Sequence, residues 1–155
     1  MKKVLALVLV VVCCSFVSSV FAQSKTDEAE INRSNLQTQK KEIVAANMQL
    51  TDAESKAFWP VYNEYQNGLR QINDKLAAVI GDFAKNYSTM TDAKAGEILN
   101  GYLATEKERL ALKEKFVPKF KKVLPMIKVA RYYQIENKLE TMVKNQLVKE
   151  IPLAK

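Results

Sequence analysis

The sequence contains no histidine, and its two cysteines, Cys13 and Cys14, lie together in an apolar N-terminal stretch. Glycine and proline are scarce, at four each in 155 residues, and Trp59 is the one tryptophan. Without histidine the commonest general base and the commonest metal ligand are missing. Scarce glycine argues against a phosphate-cradling loop. No segment alternates apolar and polar residues as a half-buried strand would. If the first 22 residues are removed, no cysteine is left, which excludes a disulfide framework.

Those 22 residues read as a secretory signal peptide. Lys2 and Lys3 form a basic start, Val4–Val12 are all apolar, and the apolar character continues to Val17. "SSVFA" follows, with Val20 and Ala22 at the small-residue positions of a cleavage site, so the cut is expected between Ala22 and Gln23. An uncleaved anchor would call for a longer run. A lipid attachment site would call for a small residue before the cysteine. Residues 23–33 are polar and read as a mobile arm, leaving 34–155 as a single helical domain. Cleavage lowers the formal net charge from +7 to +5. For an exported basic chain, acidic proteins or an anionic membrane surface are the expected partners, and nucleic acid is not.

The rest of the chain keeps helical time. A short helix is expected over Asn35–Met48, with Leu36, Ile43, Val44 and Met48 on its apolar face. Thr51 and Glu54 form a capping-box pattern at the start of a second helix reaching Asn86. Along it Phe58, Tyr62, Tyr65, Leu69, Ile72, Leu76, Val79 and Phe83 recur at alternating spacings of four and three, a heptad seam. The seam passes Pro60 without losing phase, so the helix is expected to bend there rather than end. Thr91 and Asp92 start a third helix, over Asp92–Leu124. Its expected inner face is Leu99, Leu103, Leu110, Val117, Phe120 and Leu124, flanked by Tyr102, Phe116 and Val123. Pro118 interrupts it. Folded about a turn near residue 89, the second and third helices make an antiparallel hairpin with Pro60 and Pro118 at one level, a shared bend. Pro125 separates a fourth helix, Met126–Ile151. Its apolar face carries Val129, Tyr132, Tyr133, Ile135, Leu139, Met142, Val143 and Leu147, with a Glu140–Lys144 pair on the other side. The fold class is all-α.

The stretch "LTDAESKAFWPVYNEY" (50–65), the heptad helix, and "LPMIKVARYYQIENKLE" (124–140) together resemble the Spy/CpxP group of periplasmic proteins, named for LTxxQ motifs. The resemblance covers most of 43–151. The first motif copy reads LTDAE, with Glu54 in place of glutamine, and the second, LPMIK, keeps only Leu124. The resemblance implies long bent helices paired into a cradle-shaped homodimer. It also implies ATP-independent chaperoning of partly unfolded proteins, or restraint of an envelope-stress sensor, and in some similar folds metal sensing.

Candidate chemistry is thin. Ser24, Ser34, Ser55 and Ser88 lack a glycine-rich elbow, and the carboxylate pairs Glu106/Glu108 and Glu136/Glu140 read as solvated helix charges, so no catalytic residue is expected. Met48, Met90, Met126 and Met142 read as gap-fillers of a helical core, and neither a metal nor a cofactor is expected. Phe58, Tyr62 and Tyr65 belong to the seam. Trp59 lies off it, next to the proline, free to contact the fourth helix or a second chain. The strongest surface signal is the basic run Lys113, Lys115, Lys119, Lys121, Lys122, Lys128 and Arg131, opposed only by Glu114. It reads as a solvated face or a surface for acidic clients. The rival function is a structural envelope protein making peripheral contact with anionic membranes through that face.

Overall fold

The structure, a computed structural model, describes residues 34–154. The predicted signal and arm lie outside the described residues. The chain divides into two units, one ending at Ala46 and the other beginning at Asn47. Helix α1 (34–48) crosses that boundary. Val44 and Met48 are buried, whereas Leu36 and Ile43, expected on the same face, are exposed.

The remaining elements belong to the second unit. Helix α2 is Asp52–Asn86, α3 is Asp92–Lys121 and α4 is Met126–Glu150, with one 3-10 turn at Tyr87–Thr89 between α2 and α3. The described chain is all-α. Thr51 caps α2 as its spacing predicts: the Glu54 N–H donates to the threonine hydroxyl at 3.3 Å, and the Thr51 N–H donates to the Glu54 carboxylate at 2.8 Å. Thr91 caps α3 in the same way, accepting from the Lys94 N–H at 3.2 Å. Each cap satisfies a donor that the first helical turn would otherwise leave unpaired.

Helices α2 and α3 form the antiparallel hairpin. The contacts run in steady register from the open end to the turn. Phe58 meets Phe120 and Tyr65 meets Phe116. Gly68 lies under Leu112, Asn73 meets Arg109, and Lys75 pairs with Glu108. Gly101 lies under Val79, and Asp82 pairs with Lys94 near the turn. Pro60 and Pro118 are therefore level, each just inside the Phe58–Phe120 contact, and each lies within its helix rather than at its end. At both glycines the facing helix leaves no room for a side chain, and a Cβ on Gly68 would stand 2.8 Å from a Leu112 methyl. A Cβ on Gly101 would stand 3.0 Å from a Val79 methyl.

Helix α4 packs on this hairpin through aromatic rings. Phe58, Tyr62 and Tyr65 of α2, Phe116 and Phe120 of α3, and Tyr132 and Tyr133 of α4 are in mutual contact. The tightest pair is Phe120–Tyr132, with ring centroids 4.7 Å apart. Phe58, Tyr65, Phe120 and Tyr132 are fully buried. Each such side chain contributes roughly 1.5–3 kcal/mol by leaving water, so this cluster is the core of the second unit. The predicted seam is buried from Phe58 to Ile72. Leu76, Val79 and Phe83, nearer the turn, are only half-buried.

The expected inner face of α3 is the main correction. Leu99, Leu103 and Leu110 are 56%, 53% and 58% exposed, and Tyr102 is exposed beside them. The buried residues of α3 are Thr105, Arg109, Phe116 and Phe120. A helix buries one stripe, and two stripes competed for it here. The turn-side half of α3 presents small and polar residues, Gly101 and Thr105, to α2. That lets the backbones approach closely and turns the leucines outward. The helix also ends at Lys121, one turn before the expected Leu124. Leu124 is buried all the same, its N–H donating to the Phe120 carbonyl at 2.9 Å.

Candidate functional site

The basic run does not form one free surface. Lys113 pairs with Glu140 at 2.9 Å. Lys119 pairs with Glu64 and lies 4.5 Å from the centre of the Phe116 ring. Lys128 joins the Glu54 carboxylate to the Gln49 carbonyl, and Arg131 donates to the Gln49 side chain at 3.1 Å. Four of the seven cations thus tie elements of the fold together. Lys115, Lys121 and Lys122 are exposed and carry no ion pair among the described residues. Gln49 has a left-handed backbone, φ 50°, and this turn between α1 and α2 is what Lys128 and Arg131 grip. The hydrogen bond from Lys128, then that from the Thr51 backbone, holds the Glu54 carboxyl below its ordinary range.

Trp59 is half-buried. Its indole Nε1 donates to the Ser55 hydroxyl at 2.9 Å, and its ring meets Phe58 and Tyr62 edge-on at 5.0 and 5.1 Å. These contacts lie within α2 itself, at the rim of the aromatic core. Of the methionines expected in the core, Met48 is buried, but Met126 and Met142 are 52% and 69% exposed.

The carboxylates read as solvated include two that are not. Glu136 is 4% exposed, accepts from Gln66 at 2.9 Å and stands 3.2 Å from the Tyr132 hydroxyl. Glu140, expected on the outer side of α4, faces α3 instead. Its partners are Lys113, Lys144 at 3.0 Å and, at 3.4 Å, the Nε of Arg109. Arg109 is 7% exposed and touches all three helices: it donates to Asn73 of α2 at 2.9 Å and lies beside Glu106 of its own helix and Glu140 of α4. Lys144 reaches back to Glu106 at 3.1 Å. Three cations, Arg109, Lys113 and Lys144, and two carboxylates, Glu106 and Glu140, therefore meet in one seam. Nothing in the periodicity marks this cluster, because each member looks like an ordinary surface charge on its own helix. Glu106, Arg109 and Lys113 at i, i+3 and i+7, with Glu136, Glu140 and Lys144 at i, i+4 and i+8, were the available signal.

The four tyrosines of the core all resist ionisation. Burial first, and the Glu136 carboxylate second, push Tyr62, Tyr65, Tyr132 and Tyr133 well above the ordinary phenol value of 10.0.

Among the described residues, α3 carries an aligned strip of exposed leucines. Leu99, Leu103 and Leu110, spaced four and seven, share one side of the helix over roughly 16 Å, with Tyr102 alongside. Among the described residues no helix is long and apolar enough to cross a membrane, and no group of three or more metal-ligating side chains is found. Comparison with family models, with curated proteins and with solved structures finds no match to this chain.

Proposed function

We propose that this chain is a periplasmic binding protein that holds apolar segments of partly unfolded proteins without using ATP, in the manner the Spy/CpxP resemblance implies. The observation that supports it best is the leucine strip of α3, kept in water by a helix that buries threonine and arginine instead. A soluble chain that leaves large apolar side chains aligned on one helix face presents a surface for apolar partners. All four glycines lie inside α2 or α3, so none is free to form a loop around a phosphate. The chain acts here as a binding protein rather than an enzyme. The same strip would serve a stress-sensor contact or pairing into a homodimer.

The test is suppression of light scattering as an unrelated acidic protein is heated or reduced. Wild type should suppress aggregation at a few-fold excess, and Leu99→Ser/Leu103→Ser/Leu110→Ser should not. No suppression by wild type sinks the reading. A second reading, peripheral binding to anionic membranes, is favoured by Lys115, Lys121 and Lys122, which are exposed and form no ion pair among the described residues. Part of that charge also complements the C-terminal dipole of α3. Co-sedimentation with anionic vesicles that is lost in Lys115→Glu/Lys121→Glu/Lys122→Glu, without any chaperoning, would replace the first reading by the second.

A further inference from the structure

We propose that the second half of α4, residues 138–150, is a strap docked on the hairpin by charge rather than by apolar packing, and that it is released by salt or acid while the aromatic core stays folded. Helix α4 has two unlike halves. The first half buries Val129, Tyr132 and Glu136 and is locked into the rings of α2 and α3. Beyond Glu136 no residue of the helix is buried. Val143 lies seven residues after Glu136, on the side of α4 that faces inward earlier, yet it is 58% exposed.

Leu139 and Leu147 are only half-buried, and the side-chain bonds that tie this half to the hairpin are ionic. Lys113 and Arg109 of α3 meet Glu140, and Glu106 of α3 meets Lys144. These side chains are one-tenth to two-fifths exposed, so mobile ions reach them and screen them. An apolar contact would instead be strengthened or left unchanged by ordinary salt.

Acid acts on the same joint. Glu140 faces Arg109 and Lys113 of α3 and Lys144 of its own helix, Glu106 of α3 shares Arg109 and Lys144 with it, and both Glu136 and Glu140 are near enough to push the Tyr65 phenol of α2 up. Burial raises its pKa, but the hydrogen bonds from Lys113 and Lys144 outweigh this and hold it below 4.5. The stabilisation is therefore present above about pH 4.5 and is lost as pH falls through the lower folded value. With Glu140 neutral, the three cations are left facing Glu106 alone, and the strap loses its contacts with Lys113 and Arg109, keeping only the Lys144–Glu106 pair.

Amide hydrogen exchange on the intact mature chain tests this. Between low and moderate salt, exchange over 138–150 should accelerate roughly tenfold, as expected for a few partly exposed ion pairs. The segments 58–72 and 112–120 should stay protected. Glu140→Gln should exchange at low salt as wild type does at moderate salt. Lys113→Met leaves the intrahelical Glu140–Lys144 pair intact and removes only a docking contact, so acceleration in this variant separates docking from helix propensity. The proposal is overturned if exchange over 138–150 ignores salt, if Lys113→Met has no effect, or if the protected segments open together with the strap.

Discussion

At the level of single residues, large apolar side chains divide into those that hold the fold and those that do not. Phe120 is fully buried and meets rings of all three helices. Phe120→Ala should cost about 3–5 kcal/mol, measured by urea unfolding followed through Trp59 fluorescence. Leu103→Ala, of similar apparent weight in the sequence, should cost far less, under about 1 kcal/mol, because about half of its surface is still in water when the chain is folded. A large loss at Leu103 would show the strip to be covered. Thr51→Ala breaks the capping box and should cost about 1 kcal/mol. The threonine was legible because a cap is a local device, complete within four residues. Glu136 was not, because a hydrogen-bond donor that makes its burial tolerable, Gln66, lies seventy positions earlier.

Pro60 sets the question for the elements. It stands in the third turn of α2 with its ring in solvent, where it denies a hydrogen bond to the Lys56 carbonyl. Pro60→Ala restores that bond without disturbing the buried stripe, and should raise stability by about 1 kcal/mol or more, up to the roughly 3 kcal/mol of an interior proline. A fall in stability would mean that the aromatic core requires the proline's backbone geometry. The hairpin itself was legible because the seam of α2 is apolar and nearly unbroken, and because the positions of the prolines and the turn agree. The inner face of α3 was not. Apolar periodicity reports which stripe is greasy, whereas packing against α2 also rewards small residues that allow close approach, as Gly101 and Thr105 do.

For the whole molecule, the tyrosine core makes a prediction about alkali. Because the folded state holds Tyr62, Tyr65, Tyr132 and Tyr133 above the ordinary 10.0, their contribution is fully present below about pH 10. It is lost progressively above that, as the unfolded chain ionises more readily. Ultraviolet titration should show these four phenols silent until unfolding and then ionising together with the loss of circular dichroism. Smooth titration of all six tyrosines near their ordinary value, in a chain that is still helical, would contradict the buried cluster.

The sequence by itself determined the helical class, the caps at Thr51 and Thr91, the hairpin and the level prolines. All of these follow from backbone hydrogen bonding and from periodicity within one segment. Only the tertiary structure decided which stripe of α3 faces inward, that Glu136 is buried beside Tyr132 and Glu140 pairs across to α3, and that Lys113, Lys119, Lys128 and Arg131 are ties rather than free charges. The physical reason is the same in each case. A side chain's environment is set by neighbours on other helices, and a charge or a leucine looks alike in sequence whether that neighbour is water, a carboxylate or a ring.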